Sequence, residues 1–280
     1  MYTIVSKKFL NETVCEMEID APLVAKKAEA GQFVIIRPNA DSERIPLTIA
    51  GYDREKGTIK IIFQIVGATT NVLSHKEVGG FVSDFVGPLG KPTGTENLKN
   101  VCVVGGGVGC AIALPVAKKL FEQGTSVTSI IGFRNKDLII LEREFKAYSD
   151  KFEIVTDDGS YGEKGNVCLP LEEMLSSGRS FDKIIAIGPL VMMKYVVLTA
   201  KKYGVPVTVS MNPIMIDGTG MCGCCRLNVA GQQKFACIDG PDFDGYEVDF
   251  DEMMTRNRIY QDFEAKKREE TCNLFKKEAD

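Results

Sequence analysis

From Val101 to Met211 the chain repeats one unit: a short β-branched run, a turn, then a helical stretch. The strands read NVCVV, SVTSIIG, FEIVT, KIIAIG and VPVTVSM, and the helices run near Ala111 to Glu122, Glu142 to Tyr148, Leu169 to Leu175 and Met192 to Tyr203. Strands alternating with helices of this length predict a doubly wound parallel sheet, which takes its ligands beyond the carboxyl ends of the strands. Residues 1 to about 90 are patterned differently. Tyr2 to Phe9, Val14 to Ile19, Gln32 to Arg37, Pro46 to Ala50, Thr58 to Val66 and Phe81 to Val86 are short β-type runs separated by Gly, Pro, Asn and Asp, which predict a small antiparallel barrel. The turn-rich GPLGKPTGTEN, from Gly87 to Asn97, marks the boundary. The expected fold class is β barrel plus α/β. The expected divisions are a barrel over 1–95, an α/β domain over 96–211, a Gly- and Cys-rich loop over 212–250 and a charged helical tail over 251–280.

The 280 residues, 44% hydrophobic and 26% charged, describe a soluble globular chain of about two domains. A net charge of −4 leaves no electrostatic footprint for nucleic acid. MYTIVSKKFLNETV lacks the apolar core of a signal peptide, and no apolar run approaches the roughly 18 residues of a membrane span. A cytoplasmic location follows as the expectation, with reduced thiols. The nine cysteines are therefore read for metal. Cys15, Cys102, Cys110, Cys168 and Cys272 stand singly and read as small core residues, whereas Cys222, Cys224, Cys225 and Cys237 crowd one segment.

Three constellations carry chemistry. Gly105, Gly106, Gly107, Val108 and Gly109 follow a strand and open a helix, where backbone amides can hold a pyrophosphate. The spacing is not a clean GxGxxG, because Ile112 stands where the third glycine belongs, but Gly188-Pro189 at a later strand end outlines the same crevice. In the barrel half, Arg44, Ile45, Pro46, Leu47 and Thr48 place a cation, a stiff turn and a hydroxyl together, a set suited to a flavin nucleotide as well as to an ordinary surface arginine. Gly67, Ala68, Thr69 and Thr70 head a short helix and add phosphate donors. The third is Asp217, Cys222, Cys225 and Cys237, four candidate ligands at D-x4-C-x2-C-x11-C with glycines between them. Such a loop can wrap an iron–sulfur cluster while its amides donate to sulfur. Structural zinc is the alternative, disfavoured because zinc sites are built from Cys and His and the single histidine, His75, is distant. Cys224 is the spare thiol and the replacement ligand if Asp217 does not bind.

A flavin barrel, a nicotinamide-binding sheet and a C-terminal Cys-rich loop, in that order, resemble the ferredoxin-NADP reductase superfamily. RIPLT is similar to its flavin motif, with Pro46 where an aromatic is common, as in the branch holding the electron-transfer subunits of dihydroorotate dehydrogenase. The resemblance assigns Arg44, Pro46, Leu47 and Thr48 to FAD, with Phe63, Gln64, Ile65, Thr69 and Thr70 lining the rest. Gly87, Pro88, Leu89 and Gly90 match the loop closing the flavin site, and the two glycine motifs match those for NAD(H). Those subunits have cysteine where this chain has Asp217. Asp217 within DGTGMCG, followed by FACIDGPDFDG, resembles the small subunits of NADH-dependent reduced ferredoxin:NADP+ oxidoreductases. The resemblance implies a large partner subunit bearing flavin and 4Fe-4S clusters, with ferredoxin reached through it.

The expected chemistry is hydride transfer from NADH to FAD and release of single electrons to a 2Fe-2S cluster, with no general base nominated. Asp157 and Asp158, after FEIVT, favour NAD(H) by repelling a 2′-phosphate, while Arg134 could face one. The alternatives are an electron-transfer subunit of dihydroorotate dehydrogenase, a free-standing flavin reductase, or a zinc-stapled nucleotide-binding protein. The charged tail, with apolar Ile259, Phe263, Leu274 and Phe275, reads either as a solvated helix or as one that docks on a partner.

Overall fold

The computed structural model describes residues 2–278, with side chains up to 270. Its first half is a seven-stranded antiparallel sheet: β1 (Tyr2–Asn11), β2 (Val14–Asp20), β3 (Phe33–Arg37), β4 (Ile45–Asp53), β5 (Thr58–Gln64), β6 (Phe81–Val82) and β7 (Asp84–Leu89). The order is β6-β1-β2-β5-β4-β3-β7. Only Ser83 separates β6 from β7, so the two edges nearly meet and the sheet forms a barrel. Its interior is filled by Ile4, Met17, Ile19, Val34, Ile36, Ile49, Ile59, Ile61, Phe63 and Phe85. Two short helices, α1 (Pro22–Ala25) and α2 (Ala68–Ser74), complete it.

β3 explains much of the architecture. Successive residues on a strand face opposite ways, so Val34 and Ile36 enter the barrel. Phe33 and Ile35 face outward, yet both are buried, in a core shared with Met211, Met215, Cys225 and Cys237. A strand covered on both faces reads as an unbroken apolar run, which is what FVII is.

The second sheet comprises β8 (Asn100–Gly106), β9 (Ser126–Phe133), β10 (Lys151–Thr156), β11 (Glu163–Lys164), β12 (Lys183–Ile187) and β13 (Val207–Ser210), all parallel. The intervening helices are α3 (Cys110–Glu122), α4 (Glu142–Ala147), α5 (Cys168–Ser176) and α6 (Leu190–Lys202). Along β8, Val101 and Val103 meet α3 and α4 on one face, while Cys102 and Val104 meet α5 and α6 on the other. This is the doubly wound sheet the sequence predicts. Barrel residues Val14, Ala30 and Ile62 join the α3 side of its core, which seats the two halves together.

The loop over 212–250 packs against both halves, with Met215, Cys225 and Cys237 in one core with Phe33, Ile35, Val207 and Val209. It contains the hairpin β14 (Arg226–Val229) and β15 (Gln232–Phe235), then returns as β16 (Asp242–Asp244), which pairs antiparallel with β13 at the edge of the parallel sheet. The tail forms α7 (Phe250–Arg256) and α8 (Gln261–Glu278). Among the described residues, no helix is long and apolar enough to cross a membrane. Cys15, Cys102 and Cys110 are fully buried as expected, and burial pushes the Cys15 and Cys102 thiols up to about 11 and about 12, which leaves them unreactive. Cys272, Leu274 and Phe275 lie outside the described side chains.

The strand order β10-β9-β8-β12-β13 reverses between β8 and β12, and there the chains pass unusually close. A Cβ on Gly109 would stand 2.6 Å from the Ile187 carbonyl oxygen and 2.7 Å from the Gly188 Cα. Gly109→Ala should cost about 1–3 kcal/mol by overpacking. A urea midpoint unchanged by the substitution would contradict this contact.

Candidate functional site

The switch between β8 and β12 forms a crevice at the carboxyl ends of both strands, the position where open α/β sheets take dinucleotides. Gly105 and Gly106 end β8, the turn Gly107–Gly109 leads into α3, and Gly188-Pro189 lies opposite. A Cβ on Gly188 would meet the Gly106 backbone nitrogen and oxygen at 3.1 Å, and one on Gly106 would collide with the Met192 sulfur. The absent side chains let the two strand ends and Met192 close on one another. The same turn packs against β5 of the barrel, which joins this crevice to the second site.

That second site follows from how β4 divides its pairing. Pro46, Leu47 and Thr48 pair with β3 alone, whereas Ile49 to Asp53 pair with β5. Proline cannot donate to a ladder and is tolerated where one side of a strand is unpaired; Pro46 occupies such a stretch. Where β4 and β5 part, a cleft of about 1080 Å³ opens, just above the roughly 300–1,000 Å³ usual for small-molecule sites. Glu43 to Pro46, Val66 to Thr70, Asn212 to Ile216 and the tail helices line it. Strand alternation sends Ile45, Leu47 and Ile49 toward the barrel core, leaving Arg44, Pro46 and Thr48 on the opposite face.

Not every expected flavin residue presents its side chain. The Phe63 ring is buried in the barrel, and Leu47 packs against the same core. Thr70 caps its own helix: its hydroxyl accepts from the Val66 and Gly67 amides at 3.1 and 3.0 Å and donates to the Gly67 carbonyl. Arg44 pairs with Asp84 at 3.3 Å and donates from Nε to the Ile216 carbonyl at 3.0 Å. The arginine of the barrel motif thereby holds the irregular segment that enters the Cys-rich loop. Leu89 and Gly90, at the end of GPLG, are enclosed: a Cβ on Gly90 would touch the Phe33 ring and Pro241.

The loop itself is pressed onto the barrel. Gly218 adopts φ +84°, and a Cβ there would stand 2.8 Å from both Ile35 and Leu89. Cys225 and Cys237 are buried with their sulfurs 3.2 Å apart. The Cys237 thiol is pushed up to about 12 by burial, while the Gly220 amide faces its sulfur. The Cys222 thiol is lowered, chiefly by the Cys224 backbone N–H, with the Asp217 N–H adding to it. Thr219 donates to Asp217 from its hydroxyl and its amide and lowers that carboxyl. Burial raises the Cys224 thiol, which lines the neighbouring cleft. Backbone amides thus face the Cys222 and Cys237 sulfurs, the kind of donation an iron–sulfur cluster receives. Among the described residues, no three Cys, His, Asp or Glu side chains converge on one metal point; the closest approach in the set is the Cys225–Cys237 pair.

Asp157 and Asp158 end β10, and β9 stands between them and β8. Asp158 is engaged locally, accepting from the Ser160 amide and hydroxyl at 2.9 and 2.6 Å. The strand end flanking the crevice on that side is Phe133-Arg134. Sequence reasoning also missed Asp242. It accepts from Thr93 at 2.6 Å, and its Oδ1 is shielded from solvent with no hydrogen-bond donor. The pair links the loop after GPLG to β16, an association across 149 residues without a local signal.

Comparison with known proteins agrees with this layout. Residues 212–249 match the family described as the iron-sulfur cluster binding domain of dihydroorotate dehydrogenase B. A Thermotoga maritima protein named as a homolog of the dihydroorotate dehydrogenase B (NAD(+)) electron transfer subunit is 49% identical, covering 93% of this chain and 92% of that one. The electron transfer subunit of Geobacillus thermodenitrificans is 36% identical over 88% of this chain and 96% of its own. A solved structure of NADH-dependent reduced ferredoxin-NADP oxidoreductase, reported for flavin-based electron bifurcation, superposes with a TM-score of 0.91 at 47% identity, covering 96% of this chain and 97% of that one. The cytochrome b5 reductase domain of Ulva prolifera nitrate reductase shares the fold, with a TM-score of 0.59 at 17% identity, over 72% of this chain and 92% of that one. The fold is that of the ferredoxin-NADP reductases. The chain belongs to the family of dihydroorotate dehydrogenase B electron transfer subunits and their homologues.

Burial raises the Asp242 carboxyl, opposed by the hydrogen bond from the Thr93 hydroxyl. The folded chain therefore holds this proton more tightly than the unfolded one, and stability is lost as pH rises from about 4 through the raised value. The stability of Asp242→Asn relative to wild type should improve between about pH 4 and pH 7. A difference that does not change with pH in chemical denaturation would contradict this.

Proposed function

We propose that this chain is the NAD(H)-linked subunit of a larger oxidoreductase and passes electrons between a dinucleotide in the β8/β12 crevice, FAD in the barrel cleft and a 2Fe-2S cluster in the Cys-rich loop. It is an electron-transfer oxidoreductase subunit, with FAD, NAD(H) and an iron–sulfur cluster as its cofactors. The observation that carries the reading is the shared wall: Gly218 lies on Ile35 and Leu89, and Arg44 of the flavin motif holds Ile216. When bound, FAD converts a two-electron hydride into the single electrons that an iron–sulfur cluster accepts.

The residues serve this by placement. Gly105 to Gly109, Gly188 and Pro189 let a pyrophosphate approach backbone amides. Arg44, Pro46 and Thr48 face the flavin, and Gly87 to Gly90 fix the barrel edge against the loop. Asp217, Cys222, Cys225 and Cys237 hold the cluster, Asp217 supplying a harder donor than thiolate. Cys222 and the apolar Ile216, Met221 and Ile238 are exposed around it, Met221 by 88%. Such a rim beside a redox centre suits a partner subunit. That partner is a larger flavin and 4Fe-4S subunit through which ferredoxin is reached, and the assembly works in the cytoplasm without nucleic acid or membrane.

The match over 212–249 also supports a second reading, the electron-transfer subunit of a dihydroorotate-oxidising enzyme. Asp217 in place of cysteine favours the first. Copurification decides between a flavin and 4Fe-4S subunit and a dihydroorotate-oxidising one.

Protein prepared without oxygen should contain stoichiometric FAD with iron and sulfide in equal amounts, and Asp217→Ala should lose most of both while Asp217→Cys keeps them. Full iron and sulfide in Asp217→Ala, at an unchanged potential, would contradict the ligand assignment.

A further inference from the structure

The tail helix α8 runs across the barrel cleft and packs against α2. α8 carries mostly charged residues, and Ile259 and Tyr260, in the turn before it, form with Phe263 of its first turn an exposed apolar group lining the cleft, Phe263 by 74%. Residues three and four apart share a helix face, so Phe263, Lys266, Lys267 and Glu270 form one stripe, and all four line the cleft. Six of the charged lining residues are cations and three are carboxylates; Arg44 is paired with Asp84 and Lys267 with Glu270, both at 3.3 Å, which leaves Lys266, Arg226, Arg256 and Arg268 as the remaining cations against Glu43 and Glu264. This excess arises in a chain whose net charge is −4. A local positive wall in an acidic protein selects an anionic ligand, and apolar side chains at its edge suit a flat aromatic one.

The helix also lies beyond the matched cluster domain, which ends at residue 249. The Geobacillus thermodenitrificans subunit is covered to 96% by 88% of this chain, whereas the Thermotoga maritima homolog extends over 93% of it.

We propose that α8 is part of the flavin site, a C-terminal strap in which Phe263 and Tyr260 close the mouth of the cleft and Lys266 with Lys267 face the FAD phosphates. The strap rests on the reading that the cleft takes FAD. It slows escape of the flavin, and FAD in turn orders the helix, so that flavin occupancy and the position of α8 are linked.

The test uses the full-length chain reconstituted with FAD. Release of FAD is followed by recovery of its fluorescence after dilution, and amide exchange of α8 is measured with and without FAD. Lys266→Glu with Lys267→Glu, and separately Phe263→Ser, should speed release about tenfold, the equivalent of roughly 1.4 kcal/mol. The charge-reversal effect should shrink in high salt, and iron content should stay at the wild-type level. Amides of α8 should exchange more slowly with FAD bound. Release rates within twofold of wild type for both variants would overturn the strap, as would α8 exchange that responds to the partner subunit and not to FAD. Wild-type protein that takes up no FAD would overturn the flavin reading itself, and the strap with it.

Discussion

The contact of Gly218 with Ile35 and Leu89 is the constraint on which the arrangement depends. It requires a residue without a side chain at a positive φ, on a loop that must reach the outer face of the barrel. Once made, it buries Phe33 and Ile35, brings Met215, Cys225 and Cys237 into one core with them, and leaves Arg44 within hydrogen-bonding distance of Ile216. The half-buried but solvent-accessible ion pair of Arg44 with Asp84 contributes on the order of 1 kcal/mol. Its importance is geometric, because it orients a guanidinium that touches both the flavin motif and the Cys-rich loop.

The molecule is therefore a relay of three adjoining compartments. The glycine turn after β8 touches β5, β5 and β4 part to form the cleft, and the far wall of the cleft is the segment entering the Cys-rich loop. At each junction a glycine lets the partner element approach closely: Gly106 and Gly188 at the crevice, Gly218 against Ile35 and Leu89 at the loop. β16 then returns the loop to the parallel sheet beside β13, so the loop is clamped at both ends.

Much of this was readable because local chemistry and global fold agree. The alternation after Val101 follows from strands covered on both faces by helices, and the strands of the barrel half and the four main helices fall within a few residues of expectation. Side-chain direction was harder to read. RIPLT reads as one motif, but pleating turns Leu47 into the core and Arg44, Pro46 and Thr48 outward. FQI likewise hides Phe63 in the barrel. Asp242 and β16 were invisible because their partners, Thr93 and β13, are distant in sequence or carry no motif. The position of α8 over the cleft depends on tertiary packing that its charged sequence does not encode by periodicity.

The central claim is that iron occupies the loop wall shared with the flavin cleft. Anomalous diffraction at the iron absorption edge, on crystals grown without oxygen, tests it directly. The account predicts an iron peak bounded by Asp217, Cys222, Cys225 and Cys237, on the side of the loop that faces Ile35 and Leu89. A zinc edge at that point, or iron bound elsewhere on the chain, would contradict it.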